Sequence, residues 1–337
     1  AYWPTSPCCG PGDFDNAWRV DAKGDMHQWD VWHENAPFEQ YYDYRPRFCS
    51  EFGYQSFSSP EVAATFASGR GDDFEWHQKN NGGNERIRNT MQRYFGNAKD
   101  FESELLLSQF QQAMAIQTAV EAWRAEMPRC MGTLYWQLND NWPVASWSSL
   151  EYGGKWKPLH YAAKRFYAPV AIMSKPDGWI YHVNDTTNAI SGELAVEWWS
   201  YDGKMKEGFT YGPTTLFPQT AQKAWPLKRR REGCFAVISF AGATNVVHFG
   251  RYRDMPLASA KIDAKIDGRK VTLTADMPAF FVWANVKGVK GEFDDNCITL
   301  LPGRPVTLTF SREIDADRFS VVSLTDLLAE PSAARVK

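Results

Sequence analysis

One carboxylate stands out in the stretch RFCSEFGYQSF, residues 47–57. Glu51 lies at the end of an apolar, aromatic-rich run, two residues before Gly53. A carboxylate held at a strand end can serve as a nucleophile or a general base. A Glu close to a Gly also ends many ordinary surface strands, so the stretch alone leaves both readings open. Read as a strand with simple alternation, Phe48, Ser50 and Phe52 share one face, and Arg47, Cys49, Glu51 and Gly53 share the other.

Two further stretches offer partners. WDVWH, residues 29–33, ends in Trp32 and His33, and LYWQLNDNW, residues 134–142, presents Trp136, Asn139, Asp140 and Trp142. Brought to one mouth, these residues would combine aromatic faces, amide and acid hydrogen-bonders and a carboxylate. That set suits a sugar: stacking on its apolar C–H faces, polar contacts to hydroxyls, and a carboxylate at the anomeric carbon. Each residue alone is also an ordinary core or loop residue.

The elements that must position them follow from periodicity. Residues 27–33 and 130–138 read as strands, the second buried because of its apolar run. FESELLLSQFQQAMAIQTAVEAWRAEM, 101–127, reads as a helix. Its apolar stripe runs through Leu106, Phe110, Ala113, Ile116, Val120, Trp123 and Met127, and Pro128 ends it. Residues 84–96 form a helix closed by Gly96, and 155–167 a further helical stretch. Strands alternating with helices predict a parallel α/β arrangement over residues 1–168. After Pro169, short alternating runs with turn signals such as Asp202-Gly203 and Asp267-Gly268 predict an all-β region of sandwich type. Its length suits two sandwiches, 169–256 and 257–337, with a seam near 252–259.

Composition narrows the partners. The 337 residues carry a net charge of −3 with mixed signs, which points to neither a nucleic-acid nor a membrane partner. No apolar run approaches the length of a membrane span. The one basic run, Lys228-Arg229-Arg230-Arg231, reads as a solvated loop. With 15 Trp, 14 Tyr and 21 Phe, aromatic content is high, as a sugar-binding surface or an aromatic core would require. The six cysteines form no C-x-x-C pair, which argues against a zinc or redox motif; most read as core fillers. One acceptor sequon, Asn184-Asp185-Thr186, is of a kind that arises often by chance. The opening residues, AYWPTSP, lack an initiator Met and the pattern of a signal peptide, so they are expected to come from the interior of a longer polypeptide.

Several stretches together resemble the β-mannosidases of glycoside hydrolase family 2. They are YWPTSP (2–7), WDVWH (29–33), RFCSEFGYQSF (47–57), GGNERI (82–87), MGTLYWQLNDNWPVASWSS (131–149) and YGGKWKPLHYAAKRFYAPV (152–170). The resemblance continues into GRYRDMPL (250–257) and LPGRPVTLTF (301–310). It covers essentially the whole chain, and the 131–170 block is its most specific part. The resemblance implies part of a (β/α)8 TIM barrel, from about strand five onward, followed by immunoglobulin-like β-sandwich domains. It implies a retaining exo-β-mannosidase acting on terminal non-reducing β-D-mannose of β-mannoside oligosaccharides. Glu51, in Ser50-Glu51-Phe52-Gly53, would be the nucleophile at the end of strand seven. Trp136 would stack beneath the sugar, Trp32 and His33 would sit near the nucleophile, and Asn139, Asp140, Trp142 and Trp3 would line the substrate site.

A retaining glycosidase needs a second carboxylate about 5–5.5 Å from the first. In the family this acid/base Glu follows an Asn at the end of strand four, upstream of residue 1. Asn84-Glu85 repeats the dipeptide, but downstream of the nucleophile and at a helix start, where a Glu serves the helix terminus. The resemblance therefore implies a partner for this chain: the N-terminal part of the enzyme, on the same or a second polypeptide. The mechanism requires no metal or other cofactor. Rival readings are another family 2 exo-glycosidase (an exo-β-glucosaminidase or a β-galactosidase) and a non-catalytic sugar-binding fragment.

Overall fold

The computed structural model describes residues 2–13, 17–227 and 233–329. The basic run at 228–231 lies outside the described residues. The chain contains a helix-rich first part and two successive pairs of β-sheets.

In the first part, β1 (Met26–Gln28) lies parallel to β2 (Cys49–Phe52). A third segment, 131–136, runs parallel on the other side of β2. Its bonds are Cys49 N to Gly132 O (3.1 Å), Leu134 N to Cys49 O (2.9 Å) and Trp136 N to Phe52 O (2.8 Å). Between β1 and β2 sits α1 (Asp30–His33); between β2 and the third segment come α2 (Pro60–Ala63), α3 (Asp72–Trp76), α4 (Gly83–Tyr94) and α5 (Phe101–Arg124). After the third segment comes α6 (Pro158–Phe166).

The helices lie where periodicity places them. Asp100 caps α5 by accepting from Ser103 N, and Gly96, at φ +97°, follows the end of α4. Nearly every turn of α5 buries residues all round, because it packs on the sheet on one side and on α6 and α7 (Leu324–Leu327) on others. Phe52 of β2 and Trp123 of α5 meet edge to face with ring centroids 4.9 Å apart, and Trp123 Nε1 donates to Tyr41 O (3.1 Å).

Two strand expectations need correction. Residues 27–33 are a strand only to Gln28; Asp30–His33 turn into a helix. Residues 130–138 are buried only at Cys130 and Thr133. Met131, Leu134, Trp136 and Leu138 are exposed, while Thr133 and Tyr135 turn toward Tyr167 and Ser149. The apolar run therefore signals a surface rather than a core.

The second part holds β3 (Val170–Ser174), β4 (Trp179–Asn184), β5 (Ile190–Ser200), β6 (Met205–Leu216), β7 (Thr220–Pro226), β8 (Cys234–Phe240) and β9 (Ala243–Val247). Sheets β3-β4-β7 and β6-β5-β8-β9 close on a core that includes Ile172, Ile180, Leu194, Val196, Ala236 and Ile238. The third part holds β10 (Ile262–Asp267), β11 (Lys270–Ala275), β12 (Ala279–Val286), β13 (Ile298–Leu300), β14 (Val306–Thr309) and β15 (Phe319–Val322). Sheets β10-β11-β14 and β13-β12-β15 close on Val271, Leu273, Val282, Val286, Leu300 and Leu308. Both are antiparallel sandwiches, as the alternating runs after Pro169 predict.

The main core joins all three parts. Trp199, Tyr201 and Phe235 of the middle sandwich pack with Phe280 and Trp283 of the last one. With Leu324 and Leu327 they belong to the same cluster as Phe110 and Trp123. Polar ties cross the same seams: Arg124 to Asp185 (2.6 Å), Tyr161 to Glu292 (3.0 Å), and Arg165 to Asp295. The six cysteines are buried and unpaired. Asn184 of the sequon is buried, and its amide donates to Asn188 O (2.8 Å).

Candidate active site

Glu51 owes its orientation to an irregularity in β2. The register runs Met26 opposite Cys49 and then His27 opposite Glu51, so Ser50 is an extra residue, a β-bulge. The bulge breaks the alternation. Cys49 and Phe52 both turn into the core, fully buried, while Ser50 and Glu51 both face the open side of the sheet. The Glu51 side chain is one-third exposed (33%). Gly53 is required two residues on: a Cβ there would lie 2.5 Å from Trp136 O and 2.9 Å from the Trp29 ring.

Around Glu51 the structure assembles a group drawn from β1 and the N-terminal segment. Trp29 Nε1 donates to Glu51 Oε2 (3.2 Å), and His27 Nδ1 lies 3.3 Å from the same oxygen. On the other side of the ring, His27 Nε2 is 3.0 Å from Ser6 Oγ. Ser6 Oγ donates to Asp25 Oδ2 (2.5 Å), and Ser50 Oγ donates to the same atom. Asp25 Oδ1 accepts from Trp3 Nε1 and from Cys8 N, both at 2.9 Å. Burial raises the Asp25 carboxyl, but these donors outweigh it and hold it below the ordinary carboxylate range. Burial presses the His27 imidazole toward its neutral form, against the pull of Glu51 and Asp25.

The expected site residues divide. Trp136 is 46% exposed, and its backbone N donates to the O of Phe52, the residue after Glu51; no hydrogen bond or ring contact joins its side chain to Glu51 among the described residues. Trp3 is exposed on the same cluster through its bond to Asp25. Trp32 is a correction: on α1 rather than a strand end, it is fully buried, edge-on to Tyr54 (5.1 Å) and Trp147 (5.9 Å). His33 is exposed at the end of α1, with its ring 5.4 Å from Trp29.

Asp140 is also a correction. It is buried inside its own loop, where it pairs with Lys79 Nζ (2.8 Å) and accepts from Ser146 (2.6 Å) and Ser148 (2.5 Å). The neighbouring Lys157 is buried too, its ammonium pushed below its ordinary range by burial and donating to Ser56 Oγ (3.1 Å). Asp140 thus pins the loop that follows Trp136. Trp142 packs on His77 (5.2 Å) and Asn139 is exposed. No hydrogen bond or ring contact joins either to Glu51 among the described residues. Glu85 sits exposed in the first turn of α4.

Sequence reasoning passed over Ser6, Asp25, His27, Trp29 and Trp147. A signal existed in GDMHQWD: Asp25, His27 and Trp29 recur at every second position, one face of a strand. Extending the strand to residue 33 drew attention to Trp32 and His33 instead.

With this geometry in place, the similarities of the chain fall into line. Residues 253–327 match the Ig-fold domain family Ig_mannosidase. The chain is 29% identical to β-mannosidase from Rattus norvegicus over 364 residues, covering 90% of this chain and 40% of that protein. It is 35% identical to β-mannosidase B from Aspergillus niger over 342 residues, covering 95% of this chain and 39% of that one. Among solved structures, β-D-mannosidase from Dictyoglomus thermophilum superposes with a TM-score of 0.84 at 25% identity, over 96% of this chain and 42% of the other. The exo-chitosanase of Amycolatopsis orientalis shares the fold, with a TM-score of 0.66 at 17% identity, over 86% and 44%. The chain spans about two fifths of the length of the relatives it matches. By sequence, by its last domain and by fold, it is similar over nearly its whole length to the C-terminal part of glycoside hydrolase family 2 β-mannosidases.

Proposed function

We propose that this chain carries the nucleophile half of a retaining exo-β-mannosidase. Glu51 attacks the anomeric carbon of a terminal β-D-mannosyl residue and forms a covalent glycosyl-enzyme, which water then hydrolyses. The observation behind the reading is the Glu51 carboxylate itself. A bulge turns it to an open face, one oxygen is held by Trp29 and faces His27, and the other has no partner among the described residues. In this reading the exposed Trp136, on the segment paired with β2, supplies a stacking platform for the sugar.

The acid/base partner comes from outside these residues. Asp25 is a poor candidate, because its two oxygens already take four donors and its proton affinity is reduced. In the same reading, β1, β2 and segment 131–136 are consecutive strands of a (β/α)8 barrel. The exposed Met131, Leu134 and Leu138 are then covered by the other half. A solvent-facing apolar strip on a segment that pairs with β2 along one side supports this, since such an edge invites a partner.

Azide rescue tests the function. In the full-length protein, Glu51→Ala should lose at least ~10³-fold in hydrolysis of an aryl β-mannoside. Azide should restore turnover and yield α-mannosyl azide, having entered from the face the carboxylate vacates. Faster turnover of aryl β-glucosaminide or β-galactoside would replace mannose by that sugar. Undiminished hydrolysis by Glu51→Ala would remove Glu51 from the chemistry.

A further inference from the structure

We infer that His27 is a positioning residue for Glu51, the two side chains holding one proton between His27 Nδ1 and Glu51 Oε2, with Ser6 coupling the far side of the ring to Asp25. The inference rests on the reading of Glu51 as nucleophile. A count of hydrogens carries it.

Ser6 owns one hydroxyl proton. Its Oγ lies 2.5 Å from Asp25 Oδ2, and an ionised carboxylate has no proton to give, so this contact uses the Ser6 proton. Ser50 directs its own proton to the same oxygen. Ser6 Oγ then offers only lone pairs to His27 Nε2 at 3.0 Å, so Nε2 carries a hydrogen. A neutral imidazole has a single N–H. Its Nδ1 lone pair would therefore face a Glu51 carboxylate lone pair at 3.3 Å. One added proton, on either atom, turns that repulsion into a hydrogen bond. Burial of the ring works against the proton and outweighs the two anionic groups that favour it, Glu51 from β2 and Asp25 just before β1, so it is the close geometry of Ser6, Nε2, Nδ1 and Oε2 that calls for it.

The shared proton and Trp29 Nε1 together anchor Oε2, which leaves Oε1 free toward the open face. In the covalent step Oε1 gives a lone pair to the anomeric carbon, and the bonding pair of the breaking bond departs with the leaving group. The carboxylate becomes a neutral ester, and the shared proton stays on His27. The reactive state is thus the pair with one proton. Two protons quench the nucleophile; with none, the Nδ1 lone pair pushes Oε2 away.

The test uses the full-length protein and 2-deoxy-2-fluoro-β-mannosyl fluoride, whose fluoride leaves with little acid assistance. The rate of covalent labelling is measured against pH. Wild type should give a bell. His27→Asn keeps an N–H donor near the Nδ1 position but cannot titrate; it should label within ~10-fold of wild type at the optimum and lose the alkaline limb. Ser6→Ala removes the link to Asp25 and should move that limb down by about one pH unit. His27→Phe has no donor and should fall by ~100-fold or more throughout. If His27→Phe does not fold, His27→Asn alone decides. An alkaline limb unchanged in His27→Asn overturns the inference while leaving Glu51 in place. Absence of any adduct on Glu51 in wild type overturns the nucleophile reading and this inference with it.

Discussion

At the residue scale, the position of Glu51 depends on a bulge and on a missing side chain. The extra residue at Ser50 turns Glu51 out of the core, and the absence of a Cβ at Gly53 lets segment 131–136 approach. Gly53→Ala must displace backbone at Trp136 and an indole at Trp29, so it should cost ~1–3 kcal/mol and slow catalysis more than it weakens folding. Comparison of kcat/KM with thermal stability measures both. Asp140 offers a contrast. Removing it by Asp140→Ala leaves Lys79 without its ion-pair partner and the buried Lys157 with Glu151 as its remaining facing carboxylate, a change of ~3–5 kcal/mol, to be read by denaturant unfolding. A conservative Asp140→Asn should lose less, because its oxygen still accepts from Ser146 and Ser148.

At the scale of elements, α5 backs the site. Trp123 supports Phe52, the residue next to Glu51, and Trp123→Ala should cost ~3–5 kcal/mol. One carboxylate on this helix responds to pH. Burial pushes Glu121 up to about 7, against hydrogen bonds from Gln117 (2.7 Å) and Asn245 (2.9 Å) of the middle sandwich. Its folded value exceeds its unfolded one. Its contribution is therefore fully favourable below about pH 4.5 and is lost as pH rises through about 7. Glu121→Gln keeps an acceptor for both donors and should melt higher than wild type at pH 8, by at most ~3 kcal/mol, and equal it near pH 4. A thermal scan at the two pH values checks this.

How far these elements were legible follows from what shapes each one. Helices 83–94 and 101–124 declare themselves through caps and period, which are local. The sandwich strands declare themselves through alternation. Two features escaped. The helical turn at Asp30–His33 overrides the aromatic, β-branched look of DVWH, because tertiary packing of Trp32 decides it. The bulge at Ser50 has no local signature and inverts the face of Glu51 relative to Cys49. Segment 131–138 looks like a core strand because it is apolar, and whether apolar surface is covered depends on what stands opposite, which one strand cannot report. Glu51 and Trp136 stand out by type and context, and the structure leaves both accessible to solvent. The Asp25–Ser6–His27 cluster was legible only in part: Asp25 and His27 alternate within one stretch, but Ser6 reaches them from the separate N-terminal segment through side-chain hydrogen bonds.

At the scale of the whole molecule, one core runs through all three parts, so they should unfold together. Aromatic residues of both sandwiches, Trp199, Phe235, Phe280 and Trp283, pack into the cluster that holds Trp123 and Phe110. Removing residues 253–329 should uncover that cluster and expose the Glu51 region to proteolysis at concentrations of protease that leave the intact chain whole. The apolar strip on segment 131–138 is the matching feature on the open side. The central claim is that Glu51 is the nucleophile of a mannosidase. It is tested most directly by incubating the full-length protein with 2-deoxy-2-fluoro-β-mannosyl fluoride and locating the adduct by intact and peptide mass spectrometry. A single fluoromannosyl adduct on the peptide that contains Glu51, with none in Glu51→Gln, is the expected result. An adduct on a different carboxylate, or none in active protein, would contradict it.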